Sequence, residues 1–152
     1  ALEEGIQQKV LRSTAYAGSF TFYKTMLRKV PIDDGDLFRS IYQYHDDKQS
    51  SASRQVYAIG PNKQKAPHWY NVEYGHWRYN KFINGIPQRS KSNPRARGPG
   101  AHDLPGALKV PVWVPAVPYI RETWIAAYAA ANTAMVQRFQ ERVKDVMKEA
   151  AS

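Results

Sequence analysis

Pro31-Ile32-Asp33-Asp34-Gly35-Asp36-Leu37-Phe38-Arg39-Ser40-Ile41 marks the joint that decides the fold of this 152-residue chain. Pro31 ends whatever helix precedes it, because a proline ring disfavours the helical conformation in the residue before it. Asp33 is then placed to cap a short new helix, with Asp36 complementing the helix dipole in the first turn. Leu37 and Ile41, four apart, share the inner side of that turn. Upstream, Leu2 to Val30 carries Ile6 and Val10, then Phe20, Tyr23, Leu27 and Val30, at steps of three and four. That spacing predicts a helix with an apolar face, and Ser13 to Gly18 is a weak middle where it bends or restarts.

Downstream, Ile41-Tyr42-Gln43-Tyr44-His45 and Arg54-Gln55-Val56-Tyr57-Ala58-Ile59 are rich in β-branched and aromatic residues. The polar run Asp46 to Ser53 separates them, which predicts a hairpin. Gly60-Pro61-Asn62 breaks its second strand, and Pro67 to Gly75 reads as a short helix with Gly75 as its C-terminal cap. Either Trp69 and Val72 or Tyr70 and Tyr74 share a side of it. Trp77 to Phe82 is a third strand. Val110, Val112, Val114 and Ala116 alternate along a fourth, which Pro111 and Pro115 confine to a sheet edge.

Asn84 to Lys109 holds four Gly and four Pro in 26 residues and reads as an extended arm. From about Arg121, the residues Trp124, Tyr128, Met135, Phe139, Val143 and Val146 predict a long amphipathic helix. Its alanine-rich first half lets another helix approach closely. The expected architecture is therefore one α+β domain over residues 1–152: a small antiparallel sheet, two long helices and one arm.

Composition narrows function by exclusion. The chain has no cysteine, which excludes disulfides, thiolate catalysis and Cys-ligated metal sites. Residues 1–10 lack the basic start and apolar core of a signal peptide, and the charge-free stretch Thr123 to Gln137 is too short and polar to span about 30 Å of hydrocarbon. A protein of the cytoplasm with no membrane partner is expected. The net charge of +9 is uneven: Arg78, Lys81, Arg89, Lys91, Arg95, Arg97 and Lys109 face only Asp103 between residues 78 and 109. Such an excess attracts a polyanion or an acidic protein surface.

Three phrases carry a resemblance. Pro31, Asp33, Gly35, Leu37, Ser40 and Ile41 match a Pro-x-Asp-Thr-Gly-x-Leu-x-x-Ser-Ile pattern, with Asp34 in place of the threonine. Val72, Glu73, Tyr74 and Gly75 match a Val-Glu-Tyr-Gly segment, and His76 stands where threonine is common. Pro118-Tyr119-Ile120-Arg121 is similar to Pro-Phe-Leu-Arg ahead of a C-terminal helix, with Glu122 replacing the proline that often follows. Together they resemble the neck and tail-completion proteins of lambdoid tailed phages.

The resemblance implies a virion protein without enzymatic activity or cofactor, assembled in the host cytoplasm. It implies a ring, commonly of six copies, at the head-to-tail interface. Its partners would be other copies of itself, neck, connector and tail-terminator or tail-tube proteins, and genomic double-stranded DNA in the lumen. In that reading Asp33 and Gly35 shape a turn, Glu73 satisfies backbone donors or a neighbouring base, and the arm and helix faces meet partners.

Other chemistries are weighed beside it. Asp33, Asp34, Asp36 and Glu73 with His45, His68 and His76 could be combined into a metal site, but Gly75 ends the helix between Glu73 and His76. Gly60-Pro61-Asn62-Lys63 and Arg97-Gly98-Pro99-Gly100 lack the spacing of a phosphate-binding loop, and their prolines remove N-H donors. The main alternative is a free-standing nucleic-acid-binding module, in which Trp77, Tyr79 and Phe82 stack on single-stranded bases beside the basic segment.

Overall fold

The computed structural model describes residues 4–33, 35–80, 82–83, 86–87 and 107–151. The order of elements is α1 (Glu4–Lys29), α2 (Asp36–Ser40), β1 (Ile41–His45), β2 (Tyr57–Pro61), α3 (Trp69–Tyr74), β3 (His76–Asn80), β4 (Phe82–Ile83), β5 (Ile86–Pro87), β6 (Ala107–Val114) and α4 (Tyr119–Ala150). The fold is α+β, with two long terminal helices and small antiparallel ladders. It falls into two compact units: residues 1–69 with 118–152, and residues 70–117.

In the first unit α1 and α4 pack antiparallel. Lys29 pairs with Glu122 at 3.3 Å near one end, and Arg138 Nε donates to Ser13 Oγ at 2.8 Å towards the other. The stripe of α4 against α1 is Tyr119, Thr123, Ala127 and Ala131, each at most 1% exposed and one turn apart. Small residues at that spacing let two helix backbones close in, as the alanine-rich run predicts. Gly18 does the same on α1, where an added Cβ would lie 2.6 Å from Met135 Cγ.

That close approach corrects the expected faces. Trp124, Tyr128 and Phe139 do not form the buried face of α4; they are 60, 52 and 44% exposed, flanking the alanine seam. Likewise α1 buries Val10 and Met26, with Val30 buried just past its end, while Phe20 lies in an exposed row, stacked on Tyr16 at 5.7 Å. Past Tyr119 at its start, the seam at Thr123, Ala127 and Ala131 is too narrow for large rings. Nor does α1 restart at Ser13 to Gly18: the helix is continuous, and the hydroxyl of Thr14 donates back to Val10 O.

The joint at Pro31 also differs in one detail. Asp33 does not cap α2; the N-cap is Gly35, with φ +84° and no side-chain cap bond. A left-handed residue is needed there, and glycine adopts that conformation without a Cβ penalty. Leu37 and Ser40 are buried beneath the turn, with Ser40 Oγ donating to Leu37 O at 2.7 Å.

β1 and β2 pair antiparallel in the register Ile41↔Pro61 to His45↔Tyr57. β2 starts three residues later than the sequence suggests and runs through Gly60 and Pro61 instead of breaking there. Pro61 is tolerated because its nitrogen points away from β1. Asp46 explains part of the late start: its Oδ1 accepts from the backbone N-H groups of Lys48 and Gln49, closing a turn before the chain returns.

In the second unit β3 pairs with β6, Trp77 opposite Trp113, with a register shift between Arg78 and Asn80. The two indoles meet edge-on at 5.3 Å. Within the expected arm, Ile86–Pro87 pairs with Phe82–Ile83, and Ala107 to Lys109 begins β6, so residues 84–109 are not one uninterrupted extended segment. The rest of that arm lies outside the described residues. Gly75 ends α3 as expected, at φ +75°.

Candidate interaction surface

The three phrases sit at joints. Pro31 to Ile41 links α1 to β1, Val72 to Gly75 closes α3 before β3, and Pro118 precedes α4, its carbonyl accepting from Glu122 N-H at 2.9 Å. Each phrase contributes to the interior: Leu37 is 4%, Glu73 1% and Tyr119 0% exposed, and Ser40 and Ile41 are buried as well. Asp33 and Arg121 are exposed, and Tyr74 is half exposed, with its ring 4.5 Å from that of Tyr70. Val117 N-H donates to Val72 O at 2.8 Å, which ties the second phrase to the strand end ahead of the third. These residues shape turns and anchor buried side chains within each unit.

Of the basic residues expected to meet a partner, Arg78 lies on β3 opposite Val112, and Lys109 lies on β6. Lys81, Arg89, Lys91, Arg95 and Arg97 fall outside the described residues. Trp77 is 54% exposed and paired with Trp113, so one of the three aromatics proposed for base stacking is at the surface.

Of the residues weighed for a metal site, Asp34 lies outside the described residues; among the described residues, no three His, Asp or Glu side chains are placed to hold an ion. His45 shows where one of them went. Its Nδ1 lies 2.7 Å from Asp47 Oδ1, and its Nε2 lies 2.8 Å from Gln55 Oε1 and 3.1 Å from Ser50 Oγ. Although Asp47, His45 and Ser50 line up as hydrolytic groups do, Ser50 Oγ also accepts the Val56 N-H at 3.0 Å. Gln55 competes for the nitrogen a base would use. The network staples the β1–β2 loop, and both imidazole nitrogens are committed. Beside it, the Gln49 side-chain amide donates to Asp46 Oδ2 at 2.8 Å and holds that carboxyl below its ordinary pKa.

A further surface adjoins the helix faces expected from the sequence to meet partners. Between α1, β2 and α4 lies an open apolar groove of about 810 Å³. Phe22 and Met26 contribute to its floor, Tyr57 and Ile59 to one wall, and Trp124 and Ile125 to the other. Trp124 stacks on Phe22 at 5.1 Å and leans on Tyr128 at 5.7 Å, which extends the aromatic surface along α4. The available signal was the conflict between alanines and aromatics on one helix: when alanines take the seam, aromatics must flank it. On the hairpin's outer face Tyr42 and Tyr44 stack at 5.6 Å, opposite Gly60 and Ala58, whose small side chains leave the rings uncovered.

No protein-family model, curated protein or solved structure matches the chain. No helix among the described residues is long and apolar enough to cross a membrane.

Proposed function

We propose that this chain is a structural subunit of a tailed-phage neck, a tail-completion protein that forms a ring and helps join the tail to the DNA-filled head. The observation that carries the reading is the placement of the three phrases. Two contain a glycine held left-handed at a helix boundary, Gly35 and Gly75, and the third opens the C-terminal helix. Side chains with those packing duties belong to a fold signature, which leaves the exposed aromatic flanks of α1 and α4 for contacts between subunits. Ile125 and Val136, 79 and 56% exposed, extend that apolar surface. Exposed apolar area on such a scale marks protein-protein contact more often than chemistry.

In this reading the protein has no catalytic role or cofactor, six copies form the ring, and the basic segment faces a neighbouring ring or the DNA phosphates. The test is particle assembly. Virions lacking the protein should accumulate filled heads and separate tails, and added protein should restore joining, with a ring at the neck seen by electron microscopy. A protein that stays monomeric beside heads and tails, yet binds single-stranded DNA with steep salt dependence, overturns the proposal in favour of a nucleic-acid-binding module.

A further inference from the structure

The groove has a property that its apolar lining alone does not convey: one of its walls ends in an open strand edge. Asn62 N-H donates to Ser40 O and Asp46 N-H donates to Val56 O, both at 2.9 Å. These bonds fix the phase of the ladder, so residues 56, 58, 60 and 62 turn their backbone groups towards β1. Tyr57 and Ile59 turn theirs the other way. β2 pairs only with β1 among the described residues, and no residue of β1 lines the groove, so this free edge borders it.

The edge is also undefended. Strands at sheet margins are ordinarily blunted by charge, by bulges or by proline. Val56 to Ile59 carries none of these, and Pro61 closes only the far end.

We infer that the free edge of β2 takes up an extended peptide segment of a partner protein as a third strand, its alternate apolar side chains seated in the groove. An extended segment satisfies the N-H and C=O groups of both Tyr57 and Ile59, whereas a docked helix, already bonded within itself, leaves them unpaired. The dimensions agree. The α1 floor from Ala15 to Met26 rises about 16 Å, the length of about five residues of strand. The occupant is acidic at its flanks: Arg54 precedes the wall residue Gln55, Arg121 lines the groove, and both are exposed. The inference stands on the hairpin and groove alone and is independent of the neck reading.

The test uses the full-length protein and a library of random octapeptides on beads. Recovered peptides should alternate apolar residues at i, i+2 and i+4 with an acidic residue at one flank. Synthetic copies should shift the Tyr57 and Ile59 amide resonances and slow their hydrogen exchange. Ile59→Pro removes an N-H that β1 does not use, so far-UV circular dichroism should be unchanged while peptide affinity falls about tenfold or more. Trp124→Asp, on the opposite wall, should weaken binding without touching the strand and gives the same reading if proline disturbs it. Failure to recover any such peptide, peptides that leave both amides unmoved, or wild-type affinity in both variants overturns the inference.

Discussion

Gly75→Ala tests the second phrase most directly, because the structure gives two separate reasons for glycine there. The first is conformational: φ is +75°, and a residue with a Cβ loses about 1–2 kcal/mol in that region. The second is space. An added Cβ would stand 2.7 Å from Trp113 Cζ2, 2.9 Å from Val114 O and 3.0 Å from Ala116 N. Two of these neighbours are backbone atoms beside the β3–β6 ladder, where His76 pairs with Val114, so they cannot yield without loosening the ladder. Overpacking of that kind costs about 1–3 kcal/mol.

The expected loss is therefore about 2–5 kcal/mol, a large share of the stability of a domain. Gly35→Ala is the internal control. It has a similar φ of +84°, but the nearest atoms to its Cβ belong to the Arg39 guanidinium at 3.4 Å, the far end of a flexible side chain. Only the conformational cost of about 1–2 kcal/mol should remain. Urea unfolding gives both values, and the near-ultraviolet circular dichroism of the Trp77–Trp113 pair shows whether the ladder is the part disturbed. A loss below about 1 kcal/mol for Gly75→Ala, or a larger loss for Gly35→Ala, would refute the argument.

Ala131→Leu forces a large side chain into the α1–α4 seam, where Ala131 is 0% exposed, and should cost about 1–3 kcal/mol in urea melts. Ala129→Leu, on the exposed side of the same helix, should stay within about 0.5 kcal/mol. Asp46, held below its ordinary value of 3.8 by the Gln49 amide, supports its turn above that value and loses the contribution as pH falls through the lowered pKa. Carbon-detected NMR titration should find Gln49→Ala returning Asp46 towards 3.8; no upward movement would assign the effect elsewhere. Replacing Arg89, Lys91, Arg95 and Arg97 together with alanine should leave the melting temperature nearly unchanged while weakening head-to-tail joining. Unaltered joining would remove the basic segment from the interface.

Sequence alone determined the order of the helices and of β1, β2, β3 and β6, though not the short β4–β5 pair, since that order depends on local causes: Pro31 ends α1, Gly75 ends α3, and the aromatic, β-branched runs around Asp46 to Ser53 form a hairpin. The resemblance, too, rests on local turn residues. Which helix faces are buried was decided only in three dimensions. Periodicity identified a stripe of large residues on α4, but beyond Tyr119 at its start α1 approaches closely at Thr123, Ala127 and Ala131, and the rings of Trp124 and Tyr128 were left outside. Packing distance between helices is a pairwise property that neither helix encodes by itself. The groove follows from that distance, and its open strand edge from the phase of the β1–β2 ladder, which is fixed by bonds between residues distant in sequence, Ser40 with Asn62 and Asp46 with Val56.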